Sequence, residues 1–189
     1  WARIEAVVGA EERLDLVARD LVEHWERRRD AMVGKAMVVA MSRRIAVDLY
    51  ERIVALRPEW HDDDPERGVI KVVMTGSAAD PPAFQPHLHG KEMRQKIKAR
   101  AKDPDDPLEI VIVRDMWLTG FDAPAMHTMY VDKKLGGIQA VQTLSRLNRA
   151  YPGKDTTYIL DFQNDTGEIL TAFRTYYETA SLEATTDPN

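Results

Sequence analysis

Cysteine is absent from the sequence, which excludes a disulfide, a thiolate zinc site and a cysteine nucleophile; a reducing, cytoplasmic setting fits. No apolar run approaches the roughly 20 residues of a membrane-spanning helix, and no signal-peptide pattern opens the chain, so no membrane partner is expected. A G-x-x-x-x-G-K-[ST] loop is missing, as is an Asp-Glu pair at a strand end; Gly34-Lys35 lacks the upstream glycine and the following Ser or Thr. His24, His61, His87, His89 and His127 have no metal-binding spacing, His87-x-His89 reads as part of a Pro-rich loop, and no metal ligand is assigned. No Ser/His/Asp set suggests hydrolytic catalysis. An initiating methionine is lacking too: Trp1 leads the chain, as expected of a piece of something larger.

What is present suits one folded domain with a sizeable core, at 44% hydrophobic and 30% charged residues. A net charge of −5 argues against coating nucleic acid by bulk attraction. Charge is nevertheless uneven. Lys91, Arg94, Lys96, Lys98, Arg100 and Lys102 face a single acid, Glu92, in a segment expected to be helical, and a solvated face competes there with a surface for DNA or a neighbouring domain. The acidic runs 61–66 and 103–106 read as solvated loops.

Ile4, Val7, Ala10, Leu14, Val17, Leu21 and Trp25 recur at helical spacing, with Gly9 a candidate break. Apolar runs at 36–41, 69–74, 110–113, 127–131 and 157–160 read as buried strands. Helices are expected at 43–56, capped by Ser42 and stopped by Pro58, then at 91–102, 138–149 and 168–179. This alternation indicates an α/β, three-layer domain with a mostly parallel central sheet covered by helices on both faces. Ligands then sit beyond the carboxyl ends of the strands, where Ser42, Thr75-Gly76 and Thr119-Gly120 should gather. The expected division is an N-terminal helical segment (1–33) leading in from a preceding domain, the main domain (34–180) and a tail (181–189). Trp25, Trp60 and Trp117 read as core or domain-contact residues rather than base-stacking platforms.

The most telling stretch is Gln142-Thr143-Leu144-Ser145-Arg146-Leu147-Asn148-Arg149. At about 100° per residue, Gln142, Arg146 and Arg149 fall within roughly 60° of one another, while Val141, Leu144 and Leu147 project to another side. Guanidinium groups match phosphate oxygens bidentately and stay charged at any working pH, so two at a fixed separation suggest a polyphosphate target. The alternative is an exposed helix with surface arginines.

In this order of elements the chain resembles the second RecA-like domain of superfamily 2 helicases and translocases, most closely the motor (R) subunit of type I restriction–modification enzymes. Gln142-x-x-Ser145-Arg146-x-x-Arg149 is similar to helicase motif VI, with Ser where many members have Gly. Leu118 to Pro124 resembles motif V, and Met37 to Arg44 resembles motif IV. Met129-Tyr130-Val131-Asp132-Lys133, followed by Gln142 to Arg149, points to the restriction subfamily. The likeness covers roughly residues 10 to 180.

The resemblance implies that Arg149 is an arginine finger, Arg146 its partner and Gln142 a polar positioner, acting on ATP and Mg²⁺ held mainly by a preceding P-loop RecA-like domain. Gly120 and Asp122 would serve the nucleotide side, Asp122 through the ribose hydroxyls. Ser42, Arg43, Thr75, Gly76 and Thr119 would contact the backbone of double-stranded DNA, positioning the track without reading its sequence. Further implied partners are the modification and specificity subunits and a nuclease domain. Without its own phosphate cradle, the isolated chain is expected to be inactive. Two alternatives remain at this stage: another superfamily 2 motor acting on RNA or in DNA repair, and a non-catalytic helicase-like scaffold.

Overall fold

The computed structural model describes the backbone of residues 2–185 and the side chains of residues 2–176. Five strands form one sheet: β1 (Lys35–Ala40), β2 (Ile70–Val73), β3 (Ile110–Val113), β4 (Met126–Asp132) and β5 (Tyr158–Asp161). Their spatial order is β2-β3-β1-β4-β5, and every pairing is parallel. The helices are α1 (Ala2–Val8), α2 (Glu11–Ala31), α3 (Arg43–Leu56), α4 (Lys91–Lys102), α5 (Gly137–Leu144) and α6 (Thr166–Thr185).

Strand residues point alternately to the two faces, and two apolar clusters result. Ala36, Val38, Ile70, Val72, Ile110, Ile112 and Tyr130 join residues of α2 and α3 on one face. Met37, Val39, Val73, Val111, Val113, Met129 and Val131 meet Ile97 of α4, Ala140 and Leu144 of α5, and Phe173 of α6 on the other. Covered on both faces, β1 to β4 are buried throughout, which is why their sequences are mostly apolar, with Lys35, Lys71, His127, Thr128 and Asp132 as buried polar exceptions. The half-exposed β5 closes one side of the sheet.

α1 and α2 meet at Gly9. α2 lies along α3, with Leu14, Val17, Leu21 and Trp25 in the shared core. Trp25 is fully buried, its indole N–H donating to Glu109 at 2.8 Å and its ring stacked on His127. Trp60 and Trp117 are likewise buried core residues. Ser42 caps α3, its hydroxyl oxygen accepting from the Ile45 amide at 3.2 Å, and Pro58 opens a single 3-10 turn after it. α6 runs through Thr185, into the stretch expected to be tail; residues 186–189 and Trp1 lie outside the described residues.

One expectation needs correction. The helix expected at 138–149 ends at Leu144, followed by a 3-10 turn at Ser145–Leu147 and irregular backbone from Asn148. Pro152 is not the cause, since it removes only the bond to the Asn148 carbonyl. The change of backbone at Ser145–Leu147 goes with the Arg146 contact to the Leu118 carbonyl and the Lys154 contacts to the Leu147 and Arg149 carbonyls. The basic helix α4 keeps its expected bounds and exposes Lys91, Lys96 and Lys102, while part of its charge is used within the chain. Arg100 is buried and donates to the carbonyls of Pro65, Arg67 and Gly68 and to Asp106. Arg94 donates to the His89 carbonyl and Lys96 to Glu66. Half of the segment's six cations thus hold the loops around it. Lys35, of the Gly34-Lys35 pair, is buried too, donating to the carbonyls of Asp106 and Leu108.

Candidate functional site

The candidate residues fall into two groups. The first lies at the carboxyl ends of β1 and β2. Arg43 opens α3 and donates to the Thr75 carbonyl at 2.9 Å and to both Asp80 carboxylate oxygens at 2.7 Å. Its guanidinium also lies 5.4 Å from the centre of the Phe84 ring. Asp80 is only 4% exposed and accepts the Ser77 amide as well. These bonds tie the ends of β1 and β2 together. They also commit Arg43 to a carboxylate, and the cap commits an acceptor site of Ser42. Thr75 and Gly76 are exposed.

The Arg43 guanidinium, and after it the Ser77 amide, hold the Asp80 carboxyl down to about 2 from an ordinary 3.8. A depressed carboxyl pKa adds stability above the unfolded value and loses it as pH falls toward the folded one. Denaturation profiles between pH 3.8 and about 2 should therefore be shallower for Asp80→Asn than for the parent chain. Parallel slopes would show that the clasp adds nothing.

The second group surrounds the loop from β3 to β4. This loop leaves the carboxyl end of β3 and returns to the start of β4, where Met126 pairs with Lys35, the first residue of β1. Within it Trp117 has φ +67°, a left-handed conformation that costs a bulky residue about 1–2 kcal/mol. Trp117 holds that conformation while stacked on Phe121, with centroids 4.9 Å apart and planes 10° from parallel. The two buried rings leave Thr119 and Gly120 exposed at the turn. Gly120 has φ +68°, and a Cβ there would meet open space, so backbone conformation is what requires glycine.

Arg146 and Arg149 converge on this loop. Half-buried Arg146 donates through Nε to the Leu118 carbonyl at 3.2 Å. Arg149, 58% exposed, pairs with Asp122 at 3.1 Å, the carboxylate being equally exposed. Gln142 is exposed one turn earlier, while Val141, Leu144 and Leu147 are buried as the helical phase requires. Because the helix stops before Arg146, contacts to the loop set the direction of both arginines, rather than a common helical face. An open cavity of about 300 Å³ lies beside Arg149, lined by Asn148, Lys154, Asp155 and Thr157 among others.

Lys154, which sequence reasoning passed over, donates to the carbonyls of Pro124 at 3.0 Å, Leu147 at 2.6 Å and Arg149 at 2.8 Å. Nothing in Tyr151-Pro152-Gly153-Lys154 marks it, since the sequence reads as an ordinary turn. Among the described residues no cluster of His, Cys, Asp or Glu is placed to hold a metal ion, and no helix is long and apolar enough to cross a membrane.

A three-layer domain with a wholly parallel sheet is consistent with a RecA-like α/β fold, and here two arginines fold onto its β3–β4 loop. A fragment assigned to the HsdR subunit of a type I restriction enzyme from Vibrio vulnificus YJ016 shares the fold, with a TM-score of 0.65 at 17% identity over 86% of this chain and 29% of that one. T4 UvsW shares it with a TM-score of 0.55 at 14% identity over 94% and 34%. The family model for type I restriction enzyme subunit R domain 3 matches residues 83–164.

The chain is a homologue of the endonuclease (R) subunits of type I restriction enzymes. It is 46% identical to the HindI endonuclease subunit of Haemophilus influenzae over 91% of its length. It is 35% identical over 99% to a subunit of Methanocaldococcus jannaschii assigned as the MjaIXP endonuclease subunit. It spans 17% of the length of each of these two relatives.

Proposed function

We propose that this chain is the second motor domain of an ATP-dependent translocase on double-stranded DNA, the R subunit of a type I restriction enzyme. The observation that carries the reading is Arg149: a largely exposed guanidinium, held at a fixed place by one exposed carboxylate and by its own anchored backbone. Such a group is open to an incoming phosphate while its backbone stays anchored. An exposed ion pair in water is worth about 0–1 kcal/mol, so a polyphosphate can take the place of Asp122 at little cost.

In the proposed mechanism a preceding P-loop RecA-like domain holds ATP and Mg²⁺, because this chain has neither a phosphate cradle nor, among the described residues, a metal cluster. Arg149 neutralises charge developing on the transferred phosphoryl group, Arg146 couples the β3–β4 loop to that event through Leu118, and Gln142 orients polar groups nearby. Asp122 is then free to meet the ribose hydroxyls, and Gly120 gives the turn the conformation that exposes it. Closing and opening of this cleft moves the domain along DNA.

Ser42, Arg43, Thr75, Gly76 and Thr119 supply the grip on the DNA backbone. With Arg43 turned to Asp80 and Ser42 buried as the cap of α3, the grip rests first on the exposed residues Thr75, Gly76 and Thr119. Contacts of this kind follow a phosphodiester track of any sequence. Recognition and methylation then belong to the specificity and modification subunits, and cleavage to a nuclease domain, in a cytoplasmic assembly.

The test is ATP turnover by a reconstituted type I enzyme whose endonuclease subunit carries this sequence, with duplex DNA, single-stranded DNA or RNA added. Duplex DNA should stimulate most. Strongest stimulation by RNA would replace this reading with that of an RNA motor, and indifference to all three would leave a scaffold.

A further inference from the structure

We propose that Lys154 is a positioning residue for Arg149, fixing the backbone that carries the finger and joining it to the loop that carries Asp122. This inference rests on the arginine-finger reading above and goes one residue beyond it. The argument begins with hydrogen-bond capacity. An ammonium group has three N–H donors and no acceptor, and the three carbonyls within reach of Lys154 Nζ match that number.

Those carbonyls are not a random set. Leu147 ends the 3-10 turn after α5 and Arg149 lies two residues further on, in irregular backbone whose carbonyls have no helical partner. Pro124 lies two residues after Asp122 and two before β4. One side chain therefore holds both ends of the Arg149–Asp122 ion pair through their backbones, leaving the guanidinium itself exposed. Gly153, with φ +78°, provides the turn that brings Lys154 back toward the segment it follows. Partial burial lowers the pKa of Lys154 from the ordinary lysine value.

The consequence follows from the broken helix. Had the helix continued through Arg149, its own hydrogen bonds would hold the finger. In irregular backbone that work falls to tertiary contacts, and Lys154 makes one directly on the Arg149 carbonyl. Misplacing a catalytic group by about 1 Å can cost 100-fold in rate. Lys154→Met keeps the side-chain length and removes the donors, so it should lower turnover while leaving groups that bind ATP elsewhere untouched.

The experiment uses a reconstituted type I enzyme whose endonuclease subunit carries this sequence, with Lys154→Met, Arg149→Ala, both changes, or Lys154→Arg. DNA-stimulated ATP hydrolysis is measured in steady state and single turnover, beside the melting temperature of each subunit. Lys154→Met should reduce kcat about 10- to 100-fold with KM for ATP nearly unchanged, Lys154→Arg should recover part of that loss, and the double variant should be no slower than Arg149→Ala.

Wild-type turnover in Lys154→Met alongside a collapsed Arg149→Ala would overturn the positioning role and leave the finger standing. Normal turnover in Arg149→Ala would remove the finger and this inference together. Losses that multiply in the double variant would show that Lys154 acts independently of Arg149. Should Lys154→Met fail to fold, Lys154→Gln, which keeps two donors, is measured in its place; failure of both would assign Lys154 to stability and sink the proposal.

Discussion

Arg149→Ala is expected to reduce DNA-stimulated ATP turnover of the assembled enzyme by about 10³–10⁵-fold, the range for removing an arginine that stabilises a phosphoryl-transfer transition state. In barrier height this is roughly 4–7 kcal/mol. Stability should hardly move. The guanidinium is 58% exposed and its ion pair with Asp122 is equally open to solvent, so screening leaves little to lose. The carbonyl that Lys154 grips belongs to the backbone and survives the substitution. A collapse of turnover with unchanged melting temperature and intact DNA binding is thus the signature of a finger. A proportionate fall in all three would mean that Arg149 braces the domain instead, and full turnover would favour the scaffold.

The largest effect on stability should come from Trp25→Ala, at about 3–5 kcal/mol. Trp25 is fully buried between α2 and the sheet, its ring stacks on that of His127 at 5.5 Å, and its N–H donates to Glu109. Alanine leaves a cavity where the indole was and removes a neutral N–H donor from a carboxylate whose cationic partner, Arg29, stands 3.4 Å away. Trp25→Phe separates the two contributions, since it retains most of the ring and loses the N–H. Urea denaturation of the chain should rank the parent above Trp25→Phe and Trp25→Phe above Trp25→Ala. A cost below about 1 kcal/mol for alanine would show that α2 docks without this anchor.

This anchoring also bears on how α2 relates to the sheet. Leu14, Val17 and Leu21 share a core with β1, β2 and β3, so a motion that lifts α2 from α3 would expose buried apolar surface. A motor built on this domain gains by moving it as one body, with changes concentrated in exposed pieces such as the Thr119-Gly120 turn and the Arg149–Asp122 pair.

Local pattern carried the architecture. The apolar runs placed all five strands within one residue of their observed ends, because strands buried on both faces stay mostly apolar even where single polar residues such as Lys71 and Thr128 interrupt them. The limits of α3 and α4 were legible for different reasons: Ser42 and Pro58 bracket one, and the charge pattern with Asp103-Pro104 ends the other. Parallel order followed from alternation with helices. The arginine segment shows where this reasoning stops. Its helical phase correctly sent Val141, Leu144 and Leu147 inward, but continuing the same phase to Arg149 missed the break after Leu144, which goes with tertiary contacts to Leu118 and Lys154 that helical periodicity does not encode.

From residue types alone came the layered domain, its buried strands, and the presence of paired guanidinium groups suited to phosphate; each is a property of neighbours in sequence. Tertiary structure alone decided that Arg43 faces Asp80, that Arg146 reaches Leu118, and that Lys154 gathers Pro124, Leu147 and Arg149 around one ammonium. Those contacts join groups as far as 37 residues apart, and no local periodicity encodes which carbonyl or carboxylate will stand opposite a given charge once the layers have packed.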